Sequence, residues 1–483
     1  MCRLRTVNGF RLMRRGRVST AGNDHQTVPG HRTVTVVLFL GLAFIGCSST
    51  QQREAWRSHT ATAAVYEGGR GASGTEIGEA FDADSADLYT LLTYAARHNP
   101  GVEAAFHRWR AALEGIAPAK APPDPRFNFG YYFENVETRV GPQEESFGLS
   151  QTFPWFGTLR LKGEMAVQDA LAAEQTFAAA RDRLYFDVVR AWAEYHHLHR
   201  SIAIAEEVLA LVRDAEAVAA AKYRVGDGPY ADLIRAQVEL GKLEDRLVAL
   251  RAMQRPLAAE LNASLNRPPD APLPNPREIS DETLGLSDGE IIARVRTDNP
   301  SLRSLDFAEA RADRAVSLAG RRFYPTFTVG LDYIHTGPAR MTDIAGSGTD
   351  PVIGRFSINV PLWWGAYRGG KREAEARRRA VVLERQDREN HLLARVHEVL
   401  FAYHDAQRKI ELYRDALIPK AHQSIEASRV GYKAGEIDFL DYLESQRILL
   451  DFEITFARAR ADRLIRLAEL RVLAGDAWNE TGG

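Results

Sequence analysis

Two hydrophobic periods alternate along this chain. Phe127, Phe129, Tyr131 and Phe133 recur at every second position, separated by Asn128, Gly130 and Tyr132 and followed by Glu134. The same period returns at Phe147, Leu149 and Phe153, at Phe327, Val329, Leu331 and Tyr333, and at Phe356, Ile358, Val360 and Leu362. Period two puts alternate side chains on opposite faces, which predicts four strands in two pairs, each with an aromatic-rich and a polar face. After each pair the spacing changes. Leu184, Val188, Ala191, Tyr195, Leu198, Ile202, Ala205, Leu209 and Val212 step by four and three; so do Leu392, Val396, Val399, Tyr403, Ala406, Ile410, Tyr413 and Leu417. That is the heptad spacing of coiled-coil packing. An unbroken helix from Thr158 to Val225 would be ~100 Å long at about 1.5 Å per residue.

The two periods are written twice. Asn99-Pro100 returns as Asn299-Pro300, Trp155-Phe156-Gly157 as Trp363-Trp364-Gly365, and Tyr223-Arg224-Val225-Gly226 as Tyr432-Lys433-Ala434-Gly435. An offset near 200 residues is far beyond the ~20–50 residue units of solenoids, so the chain is a duplicated half-molecule. The first repeat covers 87–265: a helix over 87–117, two strands, the long helix, and a return helix over 230–265 after Gly226-Asp227-Gly228-Pro229. A Pro-rich linker occupies 266–286. The second repeat covers 287–474, with a helix over 287–322 and a return helix over 437–474, and 475–483 is a tail. Each return helix is about half the length of a descending one. Stacking it end to end with the helix that precedes the strands would make the lengths agree.

Strands of about ten residues with one greasy face can cross a bilayer at a tilt. Four strands cannot close, and lipid does not tolerate an open sheet edge, so lipid-facing strands must be pooled between subunits. Eight strands are filled by their own side chains, whereas about twelve leave a lumen. A soluble sheet packed on the helices has the same periodicity and stays open as an alternative at this point.

Composition narrows the chemistry. The formal net charge is −2 and no block of like charge forms a nucleic-acid surface. The only cysteines are Cys2 and Cys47, outside the duplicated region, so the body has neither a disulfide framework nor a thiolate metal site. Arg32 precedes an apolar run from Val34 to Gly46, too short to span a bilayer and typical of a secretory signal over 1–46. Phe44-Ile45-Gly46-Cys47 resembles a bacterial lipobox, with Phe44 in place of the usual leucine, which makes Cys47 the expected acylated N-terminus and Ser48 a residue consistent with transfer to the outer membrane. Residues 47–86 read as an aperiodic tether. His196, His197 and His199 flank the seam and are expected on a surface or subunit-facing side, not in a metal site. Arg321-Arg322, Lys371-Arg372 and Arg377-Arg378-Arg379 are read as charged helix faces or membrane-flanking residues. No phosphate loop, nucleophile elbow or HExxH is present, so no catalytic residue and no cofactor is assigned.

Phe153-Pro154-Trp155-Phe156-Gly157 and Val360-Pro361-Leu362-Trp363-Trp364-Gly365, each leading from a strand pair into a long helix, resemble the TolC family of outer-membrane efflux proteins. Leu417-Ile418-Pro419-Lys420-Ala421 and Tyr432-Lys433-Ala434-Gly435-Glu436-Ile437 belong to the same resemblance, which runs from about Leu88 to Leu473. It implies a mainly α protein with a β-barrel portion: a homotrimer with a 12-stranded outer-membrane barrel and a coiled-coil α-helical barrel crossing the periplasm. It also implies a passive exit duct working with a periplasmic adaptor and an inner-membrane pump, in contact with outer-membrane lipid. By the same match Asp441 and Glu444 fall at two acidic rings of the periplasmic tip, Asp232 at the acid that bonds to the tyrosine matched by Tyr432, and Ile437 where some members carry a locking arginine. The Asn-Pro openings and Pro122-Pro123-Asp124-Pro125 look closer to heavy-metal efflux members. The competing reading is a periplasmic coiled-coil adaptor or structural lipoprotein without a pore, which has no use for a lipid-facing band.

Overall fold

The computed structural model describes residues 87–279 and 281–476. The signal segment 1–46, the acylation of Cys47 and the tether 47–86 lie outside them. The helix expected over 87–117 is broken into α1 (Leu88–His98), α2 (Pro100–Glu114) and α3 (Ile116–Lys120). Then follow β1 (Arg126–Thr138), β2 (Gly141–Phe153), α4 (Thr158–Arg224), α5 (Tyr230–Ala252) and α6 (Gln254–Ser264). The second repeat supplies α7 (Asp288–Asp298), α8 (Pro300–Arg321), β3 (Phe327–Thr336), β4 (Val352–Ile358), α9 (Trp364–Leu412), a π-helical turn (Tyr413–Leu417), α10 (Ile418–Ala434) and α11 (Phe439–Leu473).

The Asn-Pro pairs explain the first break and its twin. The residue before a proline is pushed out of the α region, and Asn99 and Asn299 have ψ of 118° and 121°. Each also bridges two helices. Asn99 Oδ1 accepts from the backbone N–H groups of Gly101 and Val102, while its Nδ2 donates to Ser264 O at 3.1 Å, at the end of α6. Asn299 Oδ1 accepts from Ser301 N, and its Nδ2 donates to Leu473 O at 3.0 Å, at the end of α11. One side chain thus caps the start of one helix and the end of another. These are the joints of two end-to-end stacks, the arrangement that the matching lengths require. Along α4, the first stack covers Phe177 with Phe106 and Trp109, then pairs Arg190 with Glu260 and Arg213 with Glu244. The second stack lies on the other flank of α4, with Arg314 on Glu164 and Arg458 on Glu194. It carries α9 on its far side through Arg378–Asp313 and Arg395–Glu469.

The four strands form one antiparallel sheet in the order β1-β2-β3-β4, with β2 and β3 joining the repeats. Its apolar face is bare, with Phe129 57%, Leu331 50% and Phe356 68% exposed. β4 has seven residues, so Val360 and Leu362 lie beyond it. Pro361 has no N–H for a ladder, and before it Asn359 uses its side chain, which accepts from both the backbone N–H and the hydroxyl of Thr326.

The heptad seam is buried from Leu184 to Val212 and from Leu392 to Ile410. Tyr413 and Leu417 are only half-buried, because the π-helical turn breaks the register there. The turn precedes Pro419, which lacks an N–H and crowds the preceding turn. The expectation for the histidines needs correction: His196 is buried, with His197 and His199 half-buried. A heptad reading allows α4 one partner, but both of its flanks are covered, so Val189, Trp192, Ala193 and His196 are buried as well. Burial lowers the pKa of all three imidazoles. Among the described residues no group of His, Cys, Asp and Glu is arranged to hold a metal ion, and no helix is long and apolar enough to cross a membrane.

Candidate functional site

The chain reverses twice at the far end of the helices from the sheet. Both reversals depend on a glycine in the left-handed region, Gly226 at φ 78° and Gly435 at φ 78°. Asp227 N donates to Lys222 O at 2.9 Å and Glu436 N to Gly431 O at 2.8 Å, the six-to-one bond that satisfies the last carbonyls of a helix. The duplicated Tyr-x-x-Gly is therefore a helix stop made twice. Asp438 then caps α11 by accepting from Phe439 N at 2.7 Å.

The two tips are tied to each other through Tyr432 and Asp232, each 5% exposed. The Tyr432 hydroxyl and the Asp232 carboxylate are close enough to interact electrostatically. The Tyr432 ring stacks on Tyr442 at 5.8 Å and lies 5.3 Å from the Phe439 ring. Lys222 Nζ sits 4.6 Å from its centre on the cation–π face and donates to Tyr432 O at 2.6 Å. Burial, with the neighbouring charge of Asp438, raises the Asp232 pKa against the attraction of Arg235, whose Nη1 is 3.4 Å away. Burial and Asp232 together push the Tyr432 hydroxyl up to about 12, so it remains a donor at any physiological pH.

Asp441 and Glu444 are both exposed, one turn apart on α11, and neither touches the Asp232–Tyr432 pair. Glu444 is not a free carboxylate: Arg447 Nη1 lies 3.5 Å from it. The same guanidinium forms two hydrogen bonds to Glu239 of α5, at 3.1 and 2.5 Å, and these hold the Glu239 carboxyl below its ordinary range. Ile437 packs against Gly431 at 3.3 Å from where a β-carbon would lie, so that position contributes packing and no charge. Lys222, Arg235, Glu239 and Arg447 escaped the sequence reading. Lys222 has no counterpart in the repeat, since Gly431 holds the equivalent place, and Arg447 meets Glu239 only through tertiary packing.

This arrangement of residues fits a family already known. A sequence profile described as "Outer membrane efflux protein" matches residues 91–267 and 291–476, the two repeats in turn. The chain is 24% identical over 336 residues to outer membrane protein OprJ of Pseudomonas aeruginosa, covering 67% of this chain and 68% of OprJ. It is 20% identical over 415 residues to outer membrane protein TolC of Vibrio cholerae, covering 80% and 90%. The crystal structure of the outer membrane protein VceC from Vibrio cholerae superposes with a TM-score of 0.67 at 18% identity, over 81% of this chain and 96% of VceC. The match favours a channel over a poreless adaptor or an enzyme. The chain belongs to the outer membrane efflux protein family and acts as an outer-membrane efflux channel.

Proposed function

We propose that three copies of this chain close into one duct, fed by a periplasmic adaptor and an inner-membrane pump, and gated where the two helical tips meet. Cys47, acylated, would add a lipid anchor. Two features support closure by pooling. Both outer strands of the sheet present an unpaired edge, and an even number of antiparallel strands lets β4 of one copy continue into β1 of the next without a parallel step.

The gate reading is carried by one observation: Tyr432 and Asp232 are both buried where the tip of the second repeat meets that of the first, and the carboxylate helps to raise the Tyr432 pKa. Opening separates the tips and exposes both groups. Asp441 and Glu444 then line the mouth as threefold rings that attract cations, with Arg447 offsetting part of the charge of Glu444. In planar bilayers, Tyr432→Phe should raise single-channel conductance several-fold, because it deletes the hydroxyl that interacts with Asp232 and keeps the ring packing. Unchanged conductance would reject the latch. Asp441→Ala with Glu444→Ala should lower cation selectivity, and preserved selectivity would remove the rings from the account.

A further inference from the structure

Basic residues outnumber acidic ones where the sheet meets the helices; the α3–β1 junction holds Asp124 beside Lys120 and Arg126, and the other three hold no carboxylate. Residues 153–163, 317–331 and 356–372 contain no Asp or Glu, in a chain with 62 Lys+Arg and 64 Asp+Glu. They hold Arg160 and Lys162, Arg321 and Arg322, and Arg368, Lys371 and Arg372. Exposed aromatics occupy the same stretch: Phe156 is 69%, Trp363 75% and Trp364 50% exposed.

A path of rings leads from the apolar face of the sheet to one of these cations. Phe153 stacks on its cross-strand partner Phe327 at 5.6 Å, and Phe327 lies 5.9 Å from Phe156. Phe156 meets Trp155 edge-on at 5.8 Å, Trp155 stacks on Tyr324 at 5.0 Å, and the Arg321 guanidinium is 6.0 Å from the Tyr324 ring. On α9 the cations follow an aromatic residue directly. Trp364, Arg368 and Arg372 stand at i, i+4 and i+8, one stripe of the helix. Among the described residues, Arg321, Arg368 and Arg372 form no ion pair with a carboxylate. Arg314, Arg377 and Arg378, farther along the helices from the sheet, pair with Glu164, Glu373 and Asp313.

We propose that Arg321, Arg368 and Arg372 form a collar that binds the phosphate groups of anionic phospholipids in the leaflet next to the helices. The guanidinium fork matches phosphate oxygens, and the aromatic residues fix the depth of the bilayer against the chain. The partner is a membrane lipid, not a free anion, because the collar continues the bare apolar face of the sheet, which meets acyl chains in the closed duct proposed above. The three copies of a closed duct would present it as a belt.

Native mass spectrometry of the protein in mild detergent, titrated with phosphatidylglycerol or phosphatidylcholine, tests this. Wild type should prefer phosphatidylglycerol by ~10-fold or more, as expected for several basic residues at an anionic surface. The triple variant R321Q/R368Q/R372Q should lose that preference while binding phosphatidylcholine as before, and R321K/R368K/R372K should retain most of it. An equal preference in wild type and the glutamine variant would overturn the proposal. So would full competition by inorganic phosphate, which would indicate an ion site. Should the triple variant not fold, Arg368→Gln against Arg368→Lys decides the same question.

Discussion

Asn99 and Asn299 do the same two jobs in the two repeats, and each job uses a different end of the side-chain amide. Aspartate offers the acceptor for the following helix but no donor for Ser264 O or Leu473 O; alanine offers neither. Asn99→Ala should therefore cost about 1–2 kcal/mol, the usual loss for a cap and a partly buried hydrogen bond. Asn99→Asp should fall between wild type and alanine. Asn299 is 5% exposed, so its substitution should cost more than that of Asn99, whose surroundings are more open. Thermal unfolding in detergent ranks the alanine and aspartate variants at both positions, and equal melting for Asn99→Asp and wild type would show that the Ser264 bond contributes nothing.

At the scale of elements, the linker is held to α11 by charge. Arg460 Nη1 pairs with Glu278 at 2.6 Å, Arg463 Nη2 pairs with Asp281 at 2.7 Å, and Arg471 pairs with Glu282. The hydrogen bond from Arg460 lowers the Glu278 pKa, and the one from Arg463 lowers that of Asp281. With folded values below the ordinary 4.5 and 3.8, this stabilisation is complete above those values and fades as pH falls through the folded ones. Hydrogen-exchange protection of linker amides should be unchanged between pH 7 and 5 and should drop below about pH 4. Arg460→Gln with Arg463→Gln should reproduce the drop at pH 7, and full protection in that variant would place the attachment elsewhere. None of these pairs was visible in the sequence, although the elements they join were. Strands and seams announce themselves by period, because each needs one apolar face. The break at Met253 does not, and at the π-helical turn the period alone misleads: Leu392 to Ile410 obeys the heptad, and Tyr413, next in the pattern, leaves it ahead of Pro419. The tip was half legible. Asp232 and Tyr432 could be matched to family positions, while Lys222 and Arg447 depend on where the second hairpin lies against the first.

At the largest scale, the described residues form a sheet and a helical layer, each with two unfinished edges. On α9, the helical edge, Leu383, Phe401 and Leu412 are 46%, 74% and 41% exposed. Their spacings of 18 and 11 residues are close to five and three full turns, so they form one stripe. It lies opposite the buried seam of Val399, Tyr403 and Ile410, facing away from the chain's own core. On the other edge, Ile234, Val238 and Val248 of α5 are 39%, 53% and 66% exposed, opposite the buried Ala236, Leu243 and Leu247. Two apolar stripes on opposite edges of one layer suit a head-to-tail interface that repeats until the ring closes. A charge in either stripe should then have the same effect, although the substituted residues lie on different helices. Phe401→Glu and Val248→Glu should each shift the detergent-solubilised protein from the proposed trimer to monomer in light scattering, while circular dichroism stays helical. Mixing the two variants should not restore the trimer, because each closed ring would still contain damaged interfaces. If Phe401→Glu alone dissociated the trimer, α5 would lie outside the interface and the ring would have to close through another face.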